Sequence, residues 1–446
     1  MGVRRPLINR AIYYFQNNRD RIRRLSGEGG WVLVGQIANV LGALALVRVL
    51  TEYLEPTEYG QLALGLTIAT LVNQVAMGGI TSGIGRFYSI AVEKGDLWGY
   101  LRASGHLIGY VALAVSVIAV IFIFWLLVAG ESRWPGLAAA VLVFSVLSGL
   151  NSSLSAIQNA ARQRATVALH SGMDAWLKIG LAVGVMLWLG SSSIAVVAGY
   201  SISALMITGS QLLFLRRLLQ RQSSANLGEA NVNWVMQMWL FSWPMMASGL
   251  FSWGYYASQR WALELFVSTA EVGKFYALTQ IAYTPISLAG SLFLSFITPI
   301  LYSRAVDLQN HDRIAHVRVL VLKMAGIGFG ATLLLSAIAM LAHETLFGLL
   351  VAEQYREYSS LMPAVVLAAG LLQSSIGLGT ILSVLNATKS ILPLAIFGQS
   401  IIILLNMILT KIYGVEGLVY SMVGGAFLHI IWMYRIVFKI GKPRHE

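Results

Sequence analysis

Twelve long apolar stretches joined by short polar loops constrain this chain more than any other feature. They fall at about residues 30–50, 61–84, 105–129, 135–158, 167–189, 193–215, 234–257, 272–298, 319–342, 360–385, 391–410 and 415–437. A helix needs about 20 apolar residues to cross hydrocarbon, and the 57% hydrophobic content of the 446 residues suffices for about a dozen crossings. Only 11% of the residues are charged, against about 25% in soluble domains, which excludes an ordinary water-soluble enzyme. The pattern predicts an all-α polytopic membrane protein. The chain has no cysteine, so disulfides, thiolate metal ligands and cysteine nucleophiles are excluded.

The net charge of +12 is first a statement about topology. With the N-terminus assigned to the cytoplasm, 24 of the 31 Lys and Arg residues fall in cytoplasmic segments and their edges, and five fall on the opposite side. Cytoplasmic loops of membrane proteins collect cations, so both termini are expected in the cytoplasm. Residues 1–28, with seven arginines and no apolar core, read as a retained, interfacial amphipathic segment rather than a signal peptide. Nucleic acid is not an expected partner, because the cations are scattered over separate segments and form no single basic face.

The chain also repeats itself. After the first span it reads Arg48-VLTEYLEPT-Glu58-Tyr59-Gly60, and after the seventh Arg260-WALELFVSTA-Glu271-Val272-Gly273, at an offset of 212 to 213 residues. Tyr88-Ser89 recurs as Tyr302-Ser303, and Asn159-Ala160-Ala161-Arg162 is echoed by Asn386-Ala387-Thr388-Lys389. Collinear matches of this kind point to a duplication. Each half holds an even number of spans, so the pseudo-twofold axis runs along the membrane normal. The expected organisation is a basic segment at 1–28, a first lobe at 29–215, a linker at 216–233, a second lobe at 234–437 and a tail at 438–446, with a cleft between the lobes. Glu58, Gly60, Glu271 and Gly273 read most simply as tight turns.

The Arg48-VLTEYLEPTEYG pattern before an apolar span, its second copy at Arg260, and the TSGIGRFYS end of span 2 resemble the polysaccharide-unit flippases of the MOP exporter superfamily. The resemblance covers nearly the whole chain by span number and spacing. It implies two six-helix lobes around a central cavity, and alternating access that moves an undecaprenyl-pyrophosphate-linked oligosaccharide, such as an O-antigen or exopolysaccharide repeat unit, across the bacterial inner membrane. It also implies no catalytic residues and no cofactor beyond a coupling proton or sodium ion. The partners it implies are the lipid-linked oligosaccharide, membrane lipids and polysaccharide polymerase machinery. Related lipid II flippases usually carry two more spans. Drug-extruding relatives share the twelve-span layout and remain an alternative.

Ionisable groups at membrane depth are costly and default to functional candidates. In span 5, His170, Asp174 and Lys178 stand four residues apart on one helical face. Lys178 lies about 17 Å into the span, where it either pairs structurally with Asp174 or meets an anionic head group while Asp174 balances it or takes up a proton. Arg86, at the cytoplasmic end of span 2, is a candidate first contact for pyrophosphate, since guanidinium binds phosphate oxygens in a fork. Arg48 and Arg260 occupy matching places near the outer surface and are read as cargo, gate or turn residues. Asn39, Asn73 and Asn151 serve either as interhelical glue or as sugar contacts. Pro244 and Pro285 are hinge candidates, and the greater proline content of the second half predicts more bending there.

Other signals carry less. His106 and His429 read as packing histidines. The tryptophans around span 7 suggest an interfacial belt, with Trp243 or Trp253 available for stacking on sugar. GIGFG at 326–330 lies inside a span and is no phosphate loop, and no cluster has metal spacing. A cation-coupled multidrug antiporter would want an acidic cavity, yet Asp174 is the only carboxylate deep in a span. A membrane-embedded glycan polymerase or ligase would need a larger outward loop than residues 343–359 supply.

Overall fold

The computed structural model describes residues 30–222, 232–304, 311–385, 390 and 393–440. The N-terminal segment 1–28, linker residues 223–231, the echo at 386–389 and residues 441–446 of the tail lie outside the described residues. Within them the chain is helical throughout. The helices are α1 (Gly30–Tyr53), α2 (Pro56–Glu93), α3 (Leu97–Val128), α4 (Trp134–Ala160), α5 (Arg164–Leu189), α6 (Ser193–Gln222) and α7 (Trp234–Phe266). α8 comes in two pieces, Thr269–Ala282 and Thr284–Arg304, and is followed by α9 (His311–Leu350) and α10 (Met362–Val384). Gln399–Ile440 is divided by Gly414, at φ 61°, into α11 (399–413) and α12 (415–440).

Local chemistry sets these starts. Pro56, Pro135 and Pro363 occupy first-turn positions that need no N–H donor. Asp96, Asn233 and Ser268 cap α3, α7 and α8 by accepting from Gly99, Met236 and Glu271 backbone N–H groups. Among the described residues ten stretches are long and apolar enough to cross a membrane, one of them Leu394–Lys439, which contains both α11 and α12. α7 falls outside that set. Its serines, Gln259, Arg260 and tyrosines lower its hydropathy, and with α8 it packs against the other lobe.

α1–α6 and α7–α12 form two pseudo-symmetric lobes. In the first, α1 runs along α5, with Gly35 against Ala168, Gly42 against Ala175 and Asn39 Nδ2 donating to Ser171 Oγ at 2.8 Å. In the second, α7 runs along α11 in the same way, with Gly254 against Ile403 and Asn406 Nδ2 donating to Ser258 Oγ at 2.8 Å.

The repeated Glu-x-Gly motifs join the lobes. Gly60 and Gly273 sit in the first turns of α2 and α8, not in turns of the chain as expected, and neither has a positive φ. They are where the two helices cross. A Cβ on Gly60 would lie 1.9 Å from the Thr269 carbonyl oxygen, and one on Gly273 would lie 2.0 Å from that of Pro56. The sequence pattern detected the motif but not its use, because close backbone approach and chain reversal both select glycine. This is the outer end of the bundle, the side to which the charge bias assigns the fewer cations. Tyr59 adds ring contacts to Tyr276 and Tyr355, while Tyr355 donates to Leu54 O at 2.8 Å and the Ala352 N–H to Thr51 Oγ1 at 3.3 Å.

Both α2 and α8 are interrupted halfway along. α2 contains a π-helical turn at Val72–Met77, and α8 breaks at Tyr283 before Pro285. The interruptions match at the repeat offset, but only the second uses proline. Bending is therefore not confined to the proline-rich half. Pro244 lies inside α7.

Candidate functional site

The interrupted middles of α2 and α8, together with α7, line open space between the lobes. The larger of two cavities there, about 530 Å³, is walled by Leu66, Ala69, Thr70, Asn73 and Gln74 of α2, Phe144 of α4, and Tyr276. The smaller, about 220 Å³, lies among Trp253, Tyr256 and Gln259 of α7, Phe275, Thr279, Gln280, Tyr283 and Thr284 of α8, and Thr67 of α2. Arg260 and Thr70 line both. Arg260 is the one charged residue among the described lining residues, and no carboxylate is present.

Arg260 stands six residues before the end of α7, about 9 Å below the outer end of the helix. Its Nη1 donates to Ala63 O on α2 at 3.0 Å, and its guanidinium carbon lies 4.4 Å above the Tyr276 ring. That arrangement is a cation–π contact that holds the fork in place. No described carboxylate lies within 4.0 Å of it. A guanidinium has five N–H donors, so most remain for a ligand. Glu264, one turn along on the same face, is engaged elsewhere: Arg133, at the start of α4 in the other lobe, has Nη1 3.9 Å from Glu264 Oε1 and donates from Nη2 to Thr269 Oγ1 at 2.8 Å.

The walls are ordered by further hydrogen bonds. Trp253 and Trp261 donate across the lobe boundary to Thr67 O at 2.8 Å and Thr67 Oγ1 at 2.9 Å. Thr284 donates to Gln280 Oε1 at 2.6 Å, and Gln280 in turn donates to Tyr276 OH at 2.7 Å. Buried polar side chains need partners. Several are satisfied with one another, while Asn73 Oδ1 and Gln259 Nε2 are buried beside the cavities without a partner among the described residues.

The candidates from the sequence separate clearly. Arg260 and Asn73 line the cavity, and Asn73 also donates to Ser148 Oγ at 2.6 Å. Arg48, its counterpart in the first copy, pairs with Glu52 at 2.7 Å, is 42% exposed and lines neither cavity. Asp174 and Lys178 form an ion pair at 2.6 Å, with Ser203 Oγ donating to the other carboxylate oxygen at 2.9 Å. The Lys178 ammonium lies 5.6 Å from the centre of the Phe144 ring and 6.0 Å from that of Tyr200. The pair thus stands behind Phe144, a cavity wall, and neither member lines the two cavities. Arg86 is exposed on α2 and makes no ion pair with a described residue. Asn39 and Asn151 join helices within the first lobe, the latter accepting from Gln211.

His170 is buried between Thr166 O and Ser210 Oγ, and His429 bonds Ser375 Oγ at 2.7 Å. Trp253 lines the cavity, whereas Trp243 is exposed. Sequence reasoning passed over Thr67, Thr70, Thr279, Gln280 and Thr284. Their signal was a polar cluster at matching repeat positions inside apolar spans. No group of three or more metal-ligating side chains occurs among the described residues.

Comparison with known proteins places this geometry. The sequence pattern of the family described as polysaccharide biosynthesis protein matches residues 27–304, well over half of the chain. Among solved structures, the chain is similar to the lipid II flippase MurJ in an inward closed conformation, at 12% identity over 93% of this chain and 87% of that one, with a TM-score of 0.67. An outward-facing multidrug resistance MATE family transporter of the MOP superfamily matches at 14% identity over 93% and 95%, with a TM-score of 0.65. A Vibrio cholerae MATE transporter, VcmN, matches at 14% identity over 93% and 97%, with a TM-score of 0.62. At such identities the likeness is one of fold. Among curated proteins none matches.

Proposed function

The chain belongs to the polysaccharide biosynthesis protein family, and from that premise we propose that it is a flippase carrying an undecaprenyl-pyrophosphate-linked oligosaccharide, such as an O-antigen or exopolysaccharide repeat unit, from the cytoplasmic to the outer leaflet of the bacterial inner membrane. The observation that carries this reading is Arg260, a cation without a carboxylate partner among the described residues, in a cavity between lobes.

Sugars and pyrophosphate do not cross hydrocarbon unaided, because unpaired polar groups and charges pay heavy desolvation costs there. A cleft lined by hydroxyls, amides and one guanidinium removes that barrier while the prenyl chain stays in lipid. Guanidinium binds phosphate oxygens in two parallel hydrogen bonds, and Gln74, Gln280, Thr70 and Thr284 offer donors and acceptors of the kind that sugar hydroxyls use. Arg86, exposed and without an ion-pair partner among the described residues, serves as the first contact at the cytoplasmic end of α2. The Asp174–Lys178 pair, one ring behind the wall, is where a coupling proton or sodium ion would act. Lobe contacts through Gly60, Gly273 and Tyr355 close the outer end, as a cytoplasm-facing state requires.

The fold is equally that of multidrug transporters, but a cationic drug would want a carboxylate where this cavity presents an arginine. Reconstituted vesicles decide between them. The parent protein is expected to translocate a fluorescently labelled undecaprenyl-pyrophosphate oligosaccharide and to leave cationic dyes such as ethidium unmoved. Dye export without oligosaccharide translocation would replace this reading with the multidrug one.

A further inference from the structure

Two contacts bridge the lobes beside Arg260. Arg260 itself donates to Ala63 O of the first lobe at 3.0 Å, and Arg133 of the first lobe holds Glu264 of the second, Nη1 to Oε1, at 3.9 Å. Arg133 is further anchored on the second lobe through Thr269 Oγ1 at 2.8 Å, and its guanidinium carbon rests 4.7 Å from the Trp134 ring centre. Any parting of the lobes at the outer end breaks both bridges at once. It leaves Arg260 and Glu264 on the same face of one helix, four residues apart, each without its contact to the other lobe, while Arg260 keeps the Tyr276 ring of its own lobe. That spacing lets a pair close, as the first copy demonstrates: Arg48 and Glu52, at the same spacing on α1, meet at 2.7 Å.

We infer that Glu264 is a positioning residue for release, whose carboxylate is held away from Arg260 by Arg133 while the outer end is closed and pairs with Arg260 when that end opens, expelling the anion. The inference rests on the reading of Arg260 as the anion contact. In the closed arrangement Glu264 has only 19% of its side chain exposed, and its Oε2 has no partner. Once Arg133 withdraws, this partly exposed carboxylate has lost the cation of the other lobe that faced it. Arg260 is the cation that its own helix brings within reach. Competition between carboxylate and phosphate for one guanidinium then converts a rigid-body movement into a loss of affinity, with no group changing protonation. The anion is held where the lobes meet and released where they part. Arg133 sets the timing because its bond exists only across the closed boundary.

Binding of inorganic pyrophosphate to the detergent-solubilised full chain, followed by calorimetry, tests this. The parent is expected to bind and Arg260→Gln to lose binding. Arg133→Gln, which frees Glu264 early, is expected to weaken binding about tenfold. Adding Glu264→Gln to Arg133→Gln is expected to restore parental affinity, a rescue that a merely structural role for Arg133 would not produce. Equal affinity of Arg133→Gln and the parent, or failure of the double variant to recover while remaining folded by its thermal transition, would overturn the inference and leave the anion site standing. A parent that binds no pyrophosphate, or an Arg260→Gln variant that binds as well as the parent, would overturn the anion site and this inference with it.

Discussion

Arg260 and Glu264 stand one helical turn apart on α7 and do not pair. Their counterparts in the first copy, Arg48 and Glu52, do so at 2.7 Å. The duplicated motif has therefore diverged in use without diverging in spacing. The first copy spends its arginine on a partly exposed ion pair of the kind worth little in stability. The second turns its arginine to the cavity because Arg133, from a different helix of the other lobe, engages the carboxylate. A duplicated scaffold thus carries an asymmetric, cationic centre.

The crossing of α2 and α8 depends on two missing side chains. Gly60→Ala or Gly273→Ala places a methyl group within about 2 Å of a carbonyl oxygen on the facing helix, and overpacking of this kind typically costs about 1–3 kcal/mol. Each variant is expected to lower the thermal midpoint in detergent by a few degrees, whereas Gly85→Ala, with open space around it, is expected to leave it unchanged. Differential scanning fluorimetry reads the comparison.

Outer closure is expected to be transient during transport. Thr51 Oγ1 accepts from the Ala352 N–H at 3.3 Å across the lobes, and the chain has no cysteine of its own. A Thr51→Cys, Ala352→Cys variant is therefore expected to cross-link under mild oxidant with no background. The disulfide should stop translocation, and reductant should restore it. Continued translocation by fully cross-linked protein, quantified by its mobility on gels, would show that this end does not open.

The span pattern was legible because apolar run length is a direct requirement of hydrocarbon thickness, and the duplication was legible because Arg48 and Arg260 head matching strings. The position of Arg260 in a cavity was less so. Both arginines have a glutamate four residues on, and only the folded chain brings Arg133, more than a hundred positions away, to Glu264. Gly60 and Gly273 show the same limit, since a tight crossing and a tight turn ask for the same residue. The matching interruptions of α2 and α8 were half legible: Pro285 announced one, while the π-turn at Val72–Met77 has no proline to mark it. Asp174 and Lys178 were read correctly as sharing a face, but periodicity did not reveal that Phe144 stands between them and the cavity.

The Asp174–Lys178 pair is expected to behave as a coupled unit. Removing one member strands a partly buried charge beside Phe144, Tyr200 and Ser203. Lys178→Ala and Asp174→Ala should each destabilise the protein more than the double variant does, with a coupling of about 1–3 kcal/mol. Thermal unfolding of the four proteins measures it, and additive effects would show that the two charges do not depend on each other.

Translocation of a labelled undecaprenyl-pyrophosphate oligosaccharide by vesicles holding Arg260→Gln, set beside the parent and Arg260→Lys, bears most directly on the role of the cavity cation. The expected order is parent fastest, Arg260→Lys reduced because an ammonium lacks the planar fork, and Arg260→Gln slower than the parent by at least about tenfold. That loss corresponds to about 1.4 kcal/mol, close to the lower end of the range for one charge-assisted hydrogen bond. An Arg260→Gln protein that is folded and flips the lipid at the parental rate would contradict the assignment of Arg260 as the contact for the anionic cargo.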